Sequence, residues 1–185
     1  SAQNIKVAFS YEMENAEADI HEATKGSLIV SGDKYYLKIA GQEIICDGTT
    51  IWTYIADAGE VQINEVDAEE SFSPTKLLSS YSDDYNAALE KEYTENNRKY
   101  YLLKLTPKAK DSGFDFVHLK IEKDKMQLAS FVLYDFDKNV FSYIIKEYLT
   151  NVALEAKAFT FDVSKYPNVD IVDMLSRVHY SEKYR

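Results

Sequence analysis

Two short segments carry residue types that could supply a nucleophile. Cys46 is the single cysteine of the chain and follows the apolar residues Ile44 and Ile45. A reactive thiolate needs a cationic, partly exposed setting, whereas a cysteine that ends an apolar strand is typical of a small buried hydrophobe. Ser27 follows Gly26, but no Gly-x-Ser-x-Gly sequence occurs, so the turn that exposes a hydrolase serine is not indicated. The sequence therefore predicts no catalytic nucleophile.

The histidines and the acidic pairs give no pattern for metal binding or acid–base catalysis. His21, His118 and His179 lie far apart, and none has a histidine or cysteine at ligand spacing. The carboxylates of Asp135 and Asp137 fall where a turn is predicted, and at turns such groups cap backbone amides. No glycine-rich phosphate loop occurs. We therefore expect no metal, no cofactor and no enzymatic activity.

Composition and charge predict one acidic globular domain over residues 1–185. The chain has 21 Lys+Arg and 31 Asp+Glu, and the resulting formal net charge of −10 argues against nucleic-acid binding. No apolar run reaches the ~20 residues that a membrane helix needs. Eleven acidic residues and two lysines fall between Asp57 and Glu95. A solvated face, a docking patch for a basic partner or a surface repelled by anionic membranes would each explain this segment.

Alternation of apolar and polar residues dominates the chain and predicts strands. It is clearest over residues 5–13, and the Asp47-Gly48 pair predicts a tight hairpin in which both residues tolerate positive φ. Ser73 and Pro74 suit the N-cap and first position of a helix, so a short helix is expected over 73–81. The other predicted strands cover residues 20–30, 35–39, 43–46, 50–56, 61–63, 85–93, 99–106, 114–122, 128–136, 140–149 and 159–161.

The spacing of these strands predicts the fold class. About eleven strands with one short helix, and no strand–helix–strand repeat, indicate a mainly β domain built on a single antiparallel sheet. Such a sheet must curve to bury its apolar face, which is rich in the 15 tyrosines and 9 phenylalanines of the chain. The curved sheet would enclose either a filled aromatic core or an apolar cavity, and the pattern is compatible with both.

A series of short apolar motifs runs along most of the chain. It begins with Gly26-x-Leu28-x-Val30, Tyr35-x-Leu37 and the run Ile44-Ile45-Cys46-Asp47-Gly48-x-x-Ile51-Trp52-x-Tyr54. It continues with Leu103-x-Leu105-Thr106-Pro107-Lys108, Phe159-Thr160-Phe161 and Val169-Asp170-x-Val172-Asp173. In order and spacing these motifs resemble the LolA-like family of periplasmic outer-membrane lipoprotein carriers. The resemblance covers about residues 7–174 and leaves a tail over 175–185.

The resemblance implies an unclosed half-barrel of about eleven strands with a short helical lid. It implies a carrier that holds lipoprotein acyl chains in an apolar cavity and shuttles them from the inner to the outer membrane of a Gram-negative bacterium. The implied partners are the lipoproteins, an inner-membrane lipoprotein-releasing transporter and an outer-membrane acceptor, through transient contacts. We expect a periplasmic monomer without a cofactor, whose signal peptide has been removed.

The resemblance also selects candidate residues for the acyl-chain cavity. The face shared by Tyr35, Leu37 and Ile39 matches the inward face of the family. Companions on other strands and on the predicted helix are Ile45, Trp52, Tyr54, Leu77, Leu78, Leu103, Phe131, Leu133, Tyr143 and Ile145. For each of these residues, ordinary core packing is the alternative role.

Two features depart from the family pattern. Family members carry a helix before the first strand, whereas only residues 1–4 precede Ile5 here, so we expect a trimmed chain or a more open cavity. Ser31 stands where members often carry an arginine that ties the lid closed. Two other functions on the same fold also remain open. One is a lipid- or lipoprotein-sensing regulatory domain, and the other is the outer-membrane acceptor, which normally needs a lipidated N-terminal cysteine.

Overall fold

The computed structural model of the protein describes residues 3–66, 85–110 and 112–175. Strands form over most of these residues, because extended backbone places alternating side chains on opposite faces. A short 3₁₀ helix spans Val163–Lys165. The strands are β1 (Ile5–Asn15), β2 (Ile20–Ser31), β3 (Lys34–Ile39), β4 (Gln42–Cys46), β5 (Thr50–Ile55), β6 (Glu60–Glu65), β7 (Tyr85–Glu95), β8 (Arg98–Pro107), β9 (Phe114–Glu122), β10 (Gln127–Asp135), β11 (Val140–Thr150) and β12 (Asp170–Asp173).

All twelve strands belong to one sheet with the order β12-β6-β5-β4-β3-β2-β1-β11-β10-β9-β8-β7. Strands β3 to β6 and strands β7 to β11 form antiparallel meanders. Strand β12 is the exception, because it pairs with β6 in parallel. Within the described residues the end strands β7 and β12 are not neighbours, so the sheet is open. The predicted class, a mainly β domain on one unclosed sheet, is confirmed with one more strand than expected.

Two predictions for the second half of the chain differ from the structure or lie beyond it. Residues 159–161, predicted as a strand, belong to no strand, and Thr160 N donates to Lys157 O in a turn. A run of three alternating residues is too short to specify a strand, and Phe161 is buried in a core cluster instead. The helix predicted over 73–81 lies outside the described residues.

The hairpin predicted at Asp47-Gly48 is present, with a different geometry. Only Gly48 takes positive φ, at 101°. Asp47 instead caps the turn, since its Oδ1 accepts hydrogen bonds from the backbone N–H groups of Thr49 (2.9 Å) and Thr50 (2.8 Å). A short acidic side chain that satisfies turn amides is a common alternative to a left-handed backbone.

Contacts divide the chain into two compact units. The first unit comprises Ser1–Lys6, Ser27–Ser79 and Leu149–Arg185, and it contains strands β3 to β6 and β12. The second unit comprises Val7–Gly26 and Ser80–Tyr148, and it contains strands β7 to β10 with most of β1 and β11.

Each unit has its own buried hydrophobic residues. In the first unit Ile45, Val61 and Phe161 form a cluster in which Val61 is completely buried. In the second unit Leu105 and Val117 expose 0% and 1% of their surface. Burial of branched side chains of this size contributes about 1.5–3 kcal/mol each, so these residues are a main source of stability in each unit.

Candidate functional site

Strand β3 places Tyr35, Leu37 and Ile39 on one side of the first unit, because side chains two residues apart project the same way. Tyr35 pairs with Cys46, and Leu37 pairs with Ile44. Paired residues in a sheet also project to the same side. An apolar surface therefore runs across β3 and β4, and we call it the Tyr35 face.

The other three predicted residues of the first unit lie on the opposite side of its sheet. Ile45 pairs with Tyr36 on β3 and with Trp52 on β5. Tyr54 pairs with Val61 and lies two residues beyond Trp52, so it shares that side. The expectation that these three residues are companions of Tyr35, Leu37 and Ile39 on a single face is therefore not met.

C-terminal residues of the chain cover the side that carries Ile45. The rings of Phe161 and Tyr166 are stacked with their centroids 4.8 Å apart, and Tyr54 lies 4.5 Å from Tyr166. Trp52 packs against the same cluster. Core packing, the alternative role considered for each candidate, describes Ile45, Trp52 and Tyr54, and it leaves the Tyr35 face as the candidate ligand surface of the first unit.

A carboxylate fastens this C-terminal cover to the sheet. The hydroxyl groups of Tyr36 and Tyr166 both donate to Glu43 Oε2, at 2.6 Å and 3.1 Å. Burial, and next the hydrogen bond to Glu43, raise the pKa of Tyr166 to about 12. Tyr166 therefore keeps its proton at neutral pH, and the hydrogen bond to Glu43 is maintained.

In the second unit, all five predicted residues lie on one side of the sheet. Leu103 pairs with Leu119, Leu119 pairs with Phe131, and Phe131 pairs with Tyr143. These four residues form a row across strands β8 to β11, and we call the side that carries it the Leu103 face. The remaining two predicted residues are Leu133 and Ile145. Leu133 lies two positions beyond Phe131 on β10, and Ile145 lies two positions beyond Tyr143 on β11, so both project to the same side.

Burial varies strongly along the Leu103 face. Leu119 exposes 2% of its surface and Phe131 exposes 8%, whereas Leu89, which pairs with Leu103 on the end strand β7, exposes 58%. A large apolar side chain that is mostly exposed beside a buried row leaves hydrocarbon surface accessible. The face therefore continues from a packed centre to an open apolar margin.

Aromatic rings surround Tyr143 on the Leu103 face. The ring of Tyr143 is stacked on Phe131 with their centroids 4.3 Å apart, and it lies 5.7 Å from Phe9 and 5.0 Å from Tyr11. Burial, and next the charge of Tyr11, raise the pKa of Tyr143 to about 12. In the first unit burial likewise raises the pKa of Tyr35 to about 12, with a smaller effect from the Cys46 thiol. Both hydroxyl groups therefore keep their protons at neutral pH.

Sequence reasoning missed several residues of the Leu103 face. Leu105, Val117 and Leu119 are the most buried of these, and Phe9 and Tyr11 contact Tyr143. A signal was available, because Leu103-x-Leu105 and Val117-x-Leu119 alternate in phase. Once the side of one strand is known, the register of its neighbours assigns the others.

The described residues hold no cluster for metal chemistry and no activated thiol. No group of three or more His, Cys, Asp and Glu side chains there could hold a metal ion. Cys46 exposes 2% of its surface, and burial raises the pKa of its thiol. His118 lies between the rings of Phe116 (5.0 Å) and Tyr134 (5.4 Å). The histidine and the cysteine are therefore packed into the sheet.

Leu77 and Leu78, expected in the lid, lie outside the described residues, as does the tail from residue 176 onward. Across residues 3–66, 85–110 and 112–175, no helix combines the length and the apolar character that a membrane span requires.

Comparisons with known proteins connect the chain to one family. The family model described as "Outer membrane lipoprotein carrier protein LolA" matches residues 1–162. The outer-membrane lipoprotein carrier protein of Pseudomonas aeruginosa is 33% identical over 134 residues, which cover 71% of this chain and 61% of that protein. The protein of the same name from Methylococcus capsulatus is 28% identical over 143 residues, which cover 71% of this chain and 67% of that protein.

A solved structure shares the fold. An uncharacterized conserved protein from Thermus thermophilus matches with a TM-score of 0.63 at 12% identity, over 93% of this chain and 91% of its own. At that identity the likeness shows the fold alone. The name of the matching family describes a carrier, which agrees with the expectation that the chain is not an enzyme. On the match over residues 1–162 and the 33% identity, the chain belongs to the family of LolA outer-membrane lipoprotein carrier proteins.

Proposed function

We propose that this chain is a periplasmic carrier that binds the acyl chains of lipoproteins on the Leu103 face of the second unit. The observation that supports the proposal most directly is the row of apolar side chains on the Leu103 face. The row runs from Tyr143 on β11 to Leu103 on β8, and the exposed Leu89 on β7 lies beside Leu103. Family membership supports the class of cargo, because the matching family is named for lipoprotein carriage. The match covers 61% of the Pseudomonas relative, so the cargo of this chain is part of the proposal.

The physical chemistry of such a face suits reversible binding of hydrocarbon. Each methylene that leaves water gains about 0.8 kcal/mol, whether it enters a membrane or an apolar protein surface. A carrier must match the membrane closely enough for transfer in both directions. Leucine, isoleucine and aromatic side chains provide apolar contact without fixed polar partners, so acyl chains of different length bind without a defined geometry.

In the first unit the Tyr35 face is the proposed acyl-chain surface. Tyr35, Leu37 and Ile39 are half-buried on β3, and their paired neighbours Ile44 and Cys46 continue the apolar surface on β4. A leucine at position 37 has no polar role on this face. We therefore expect Leu37 to contribute only apolar contact area.

The proposal includes a route for the cargo. As a monomer in the periplasm, the carrier receives lipoproteins from an inner-membrane transporter and delivers them to an outer-membrane acceptor, each through a transient contact. Binding driven by apolar area alone has no specific anchor, so transfer needs only a partner that offers a comparable apolar surface.

Adjacent leucines on β8 provide a matched experiment. Leu102 and Leu103 are both half-buried, but Leu102 pairs with Lys120 and projects to the side opposite the Leu103 face. A fluorescent fatty acid is titrated into the wild type, Leu103→Glu and Leu102→Glu, and a lipopeptide is added as competitor. Because an unpaired carboxylate in an apolar site costs several kcal/mol, Leu103→Glu should weaken binding by more than about tenfold.

Leu102→Glu should bind as the wild type does, because its carboxylate lies beside Lys120 on the other side of the sheet. Circular dichroism of both variants verifies that the β structure is retained. Leu37→Glu extends the test to the Tyr35 face, with its circular dichroism spectrum as the control for folding. Equal binding by the Leu103→Glu and Leu102→Glu proteins, or no saturable binding by the wild type, would contradict the proposal.

A further inference from the structure

A pocket of about 380 Å³ opens on the second unit, on the side opposite to the Leu103 face. Lys120 and Ser130 line it and pair with each other, whereas their chain neighbours Leu119 and Phe131 belong to the Leu103 face. Successive residues of a strand project to opposite sides, so Lys120 and Ser130 project away from the Leu103 face, and of the predicted acyl-chain residues of that face Ile145 alone also lines the pocket. An inference about this pocket does not depend on the proposed function.

Positive charge is concentrated around this pocket although the chain as a whole carries −10. Four basic side chains from three strands and one turn line it, and two carboxylates accompany them. The lining side chains sum to +2, and the ion pair of Lys120 with Glu95, which lies outside the lining, reduces the local excess to +1. The basic residues are Arg98, Lys120, Lys125 and Lys146, and the acidic residues are Glu122 and Glu147.

One partly buried carboxylate is shared by two of the cations. Arg98 Nη1 and Lys125 Nζ each lie 3.6 Å from an oxygen of Glu122, whose side chain is 13% exposed. A separation of 3.6 Å exceeds the usual reach of a hydrogen bond, so the guanidinium and ammonium groups keep donors for a ligand. The Arg98 and Lys125 side chains are 59% and 55% exposed, so a ligand can reach them.

The other two cations differ in how firmly they are held. Lys120 forms an ion pair with Glu95 and lies over the ring of Tyr100 at 4.3 Å, which fixes its position in the pocket wall. Lys146 lies two residues beyond Ile144, the partner of Ser130, and so projects to the pocket side. Lys146 forms no salt bridge with any residue in the described part of the chain, so its charge is available to a ligand.

We propose that this pocket binds a phosphate group, carried by a free phosphoester or by the headgroup of an anionic lipid. The guanidinium of Arg98 presents two parallel N–H donors that match two phosphate oxygens, and Lys125 and Lys146 supply charge and donors from the turn and from β11. Glu122 already lies between the Arg98 guanidinium and the Lys125 ammonium. A phosphate group is therefore bound by the N–H donors of these two groups that Glu122 does not use.

The experiment uses the full chain with two kinds of probe. In one arm, inorganic phosphate is titrated and the backbone amides of β8 to β11 are followed by heteronuclear NMR. In the other arm, the protein is sedimented with vesicles of phosphatidylglycerol in phosphatidylcholine, and with vesicles of phosphatidylcholine alone. The variants are Arg98→Gln and Lys146→Gln. Lys99→Gln is the matched control, because Lys99 is exposed, adjacent to Arg98 and projects to the opposite side.

The expected result is saturable binding in at least one arm. Arg98→Gln and Lys146→Gln should each weaken it by about tenfold, and Lys99→Gln by less than about twofold. If the protein binds inorganic phosphate but not the anionic vesicles, the ligand is a soluble phosphoester. If it binds the anionic vesicles but not inorganic phosphate, the ligand is a lipid headgroup. No binding in either arm, or equal weakening by the Lys99→Gln control, would overturn the proposal. Because Leu103→Glu alters the other side of the sheet, it should leave this binding unchanged, so failure of one proposal is distinguishable from failure of the other.

Discussion

Asn15 links two turns of the second unit, and its replacement tests how the end of β1 is held. The side chain is 8% exposed. Its Nδ2 donates to the carbonyl oxygen of Asp137 at 3.1 Å and to Asn139 Oδ1 at 2.8 Å, and its Oδ1 accepts from the backbone N–H of Ala18 at 3.0 Å. The turn that follows β1 is therefore joined to the turn between β10 and β11.

The substitution Asn15→Ala removes these three hydrogen bonds and leaves the backbone groups of Asp137 and Ala18 without this partner. Each hydrogen bond contributes about 1 kcal/mol, and a buried group left unpaired costs more, so we expect the free energy of unfolding to fall by about 3 kcal/mol. Urea denaturation followed by circular dichroism measures the change. Asn86 is exposed on β7, and Asn86→Ala is the control with an expected change within about 0.5 kcal/mol.

A double-mutant cycle with Asn139→Ala separates the side-chain contact from the rest of the effect. Because Asn15 Nδ2 donates to Asn139 Oδ1, the two substitutions should be coupled by about 1 kcal/mol. A loss for Asn15→Ala that equals the loss for the Asn86→Ala control would refute the reasoning that this side chain holds the two turns together.

Three further predictions follow from titrating and aromatic groups. Burial raises the pKa of the Asp135 carboxyl, but hydrogen bonds from the turn after it lower the pKa more, so it lies below the ordinary value of about 3.9. Its contribution to the unfolding free energy should therefore be lost as the pH falls below that value, and Asp135→Asn should flatten the decrease in acid urea titrations. The folded pKa of Tyr166 is raised to about 12, so the stabilisation from its protonated form should be lost as the pH rises from about 10 to 12. Glu43→Gln should lower the titration midpoint of the Tyr166 ring by NMR, and an unchanged midpoint would contradict the assigned hydrogen bond. Phe161→Ala should cost about 3–5 kcal/mol and shift the Trp52 emission to the red, because both side chains belong to one core cluster.

Most strands were predictable because their alternation is long. The eleven residues of β1 follow a period of two, as do Val117, Leu119 and Ile121 within β9, and no other regular structure produces that pattern. Strand β12 was missed because it has four residues, Asp170 to Asp173, and its partner β6 lies more than a hundred residues earlier. Long-range parallel pairing leaves no local signal in so short a segment.

The side of each strand was harder to predict than the strand itself. In the run from Ile44 to Cys46 every residue is apolar, so alternation does not select a face, and Ile45 was assigned to the side that carries Ile44. The C-terminal cover adds to the difficulty, because Phe161 and Tyr166 make the opposite side apolar as well. On β8, by contrast, Lys104 is charged and Leu105 is apolar, so alternation selects the side that faces the core. The five candidates of the second unit do share one side of the sheet.

The central claim is that the Leu103 face carries acyl chains, and native mass spectrometry of protein purified from a bacterial envelope tests it most directly. The wild type and Leu102→Glu should retain bound lipid or acylated peptide, whereas Leu103→Glu should appear at the mass of the chain alone. A wild-type protein free of any acylated ligand, or a folded Leu103→Glu protein that retains it, would contradict the account.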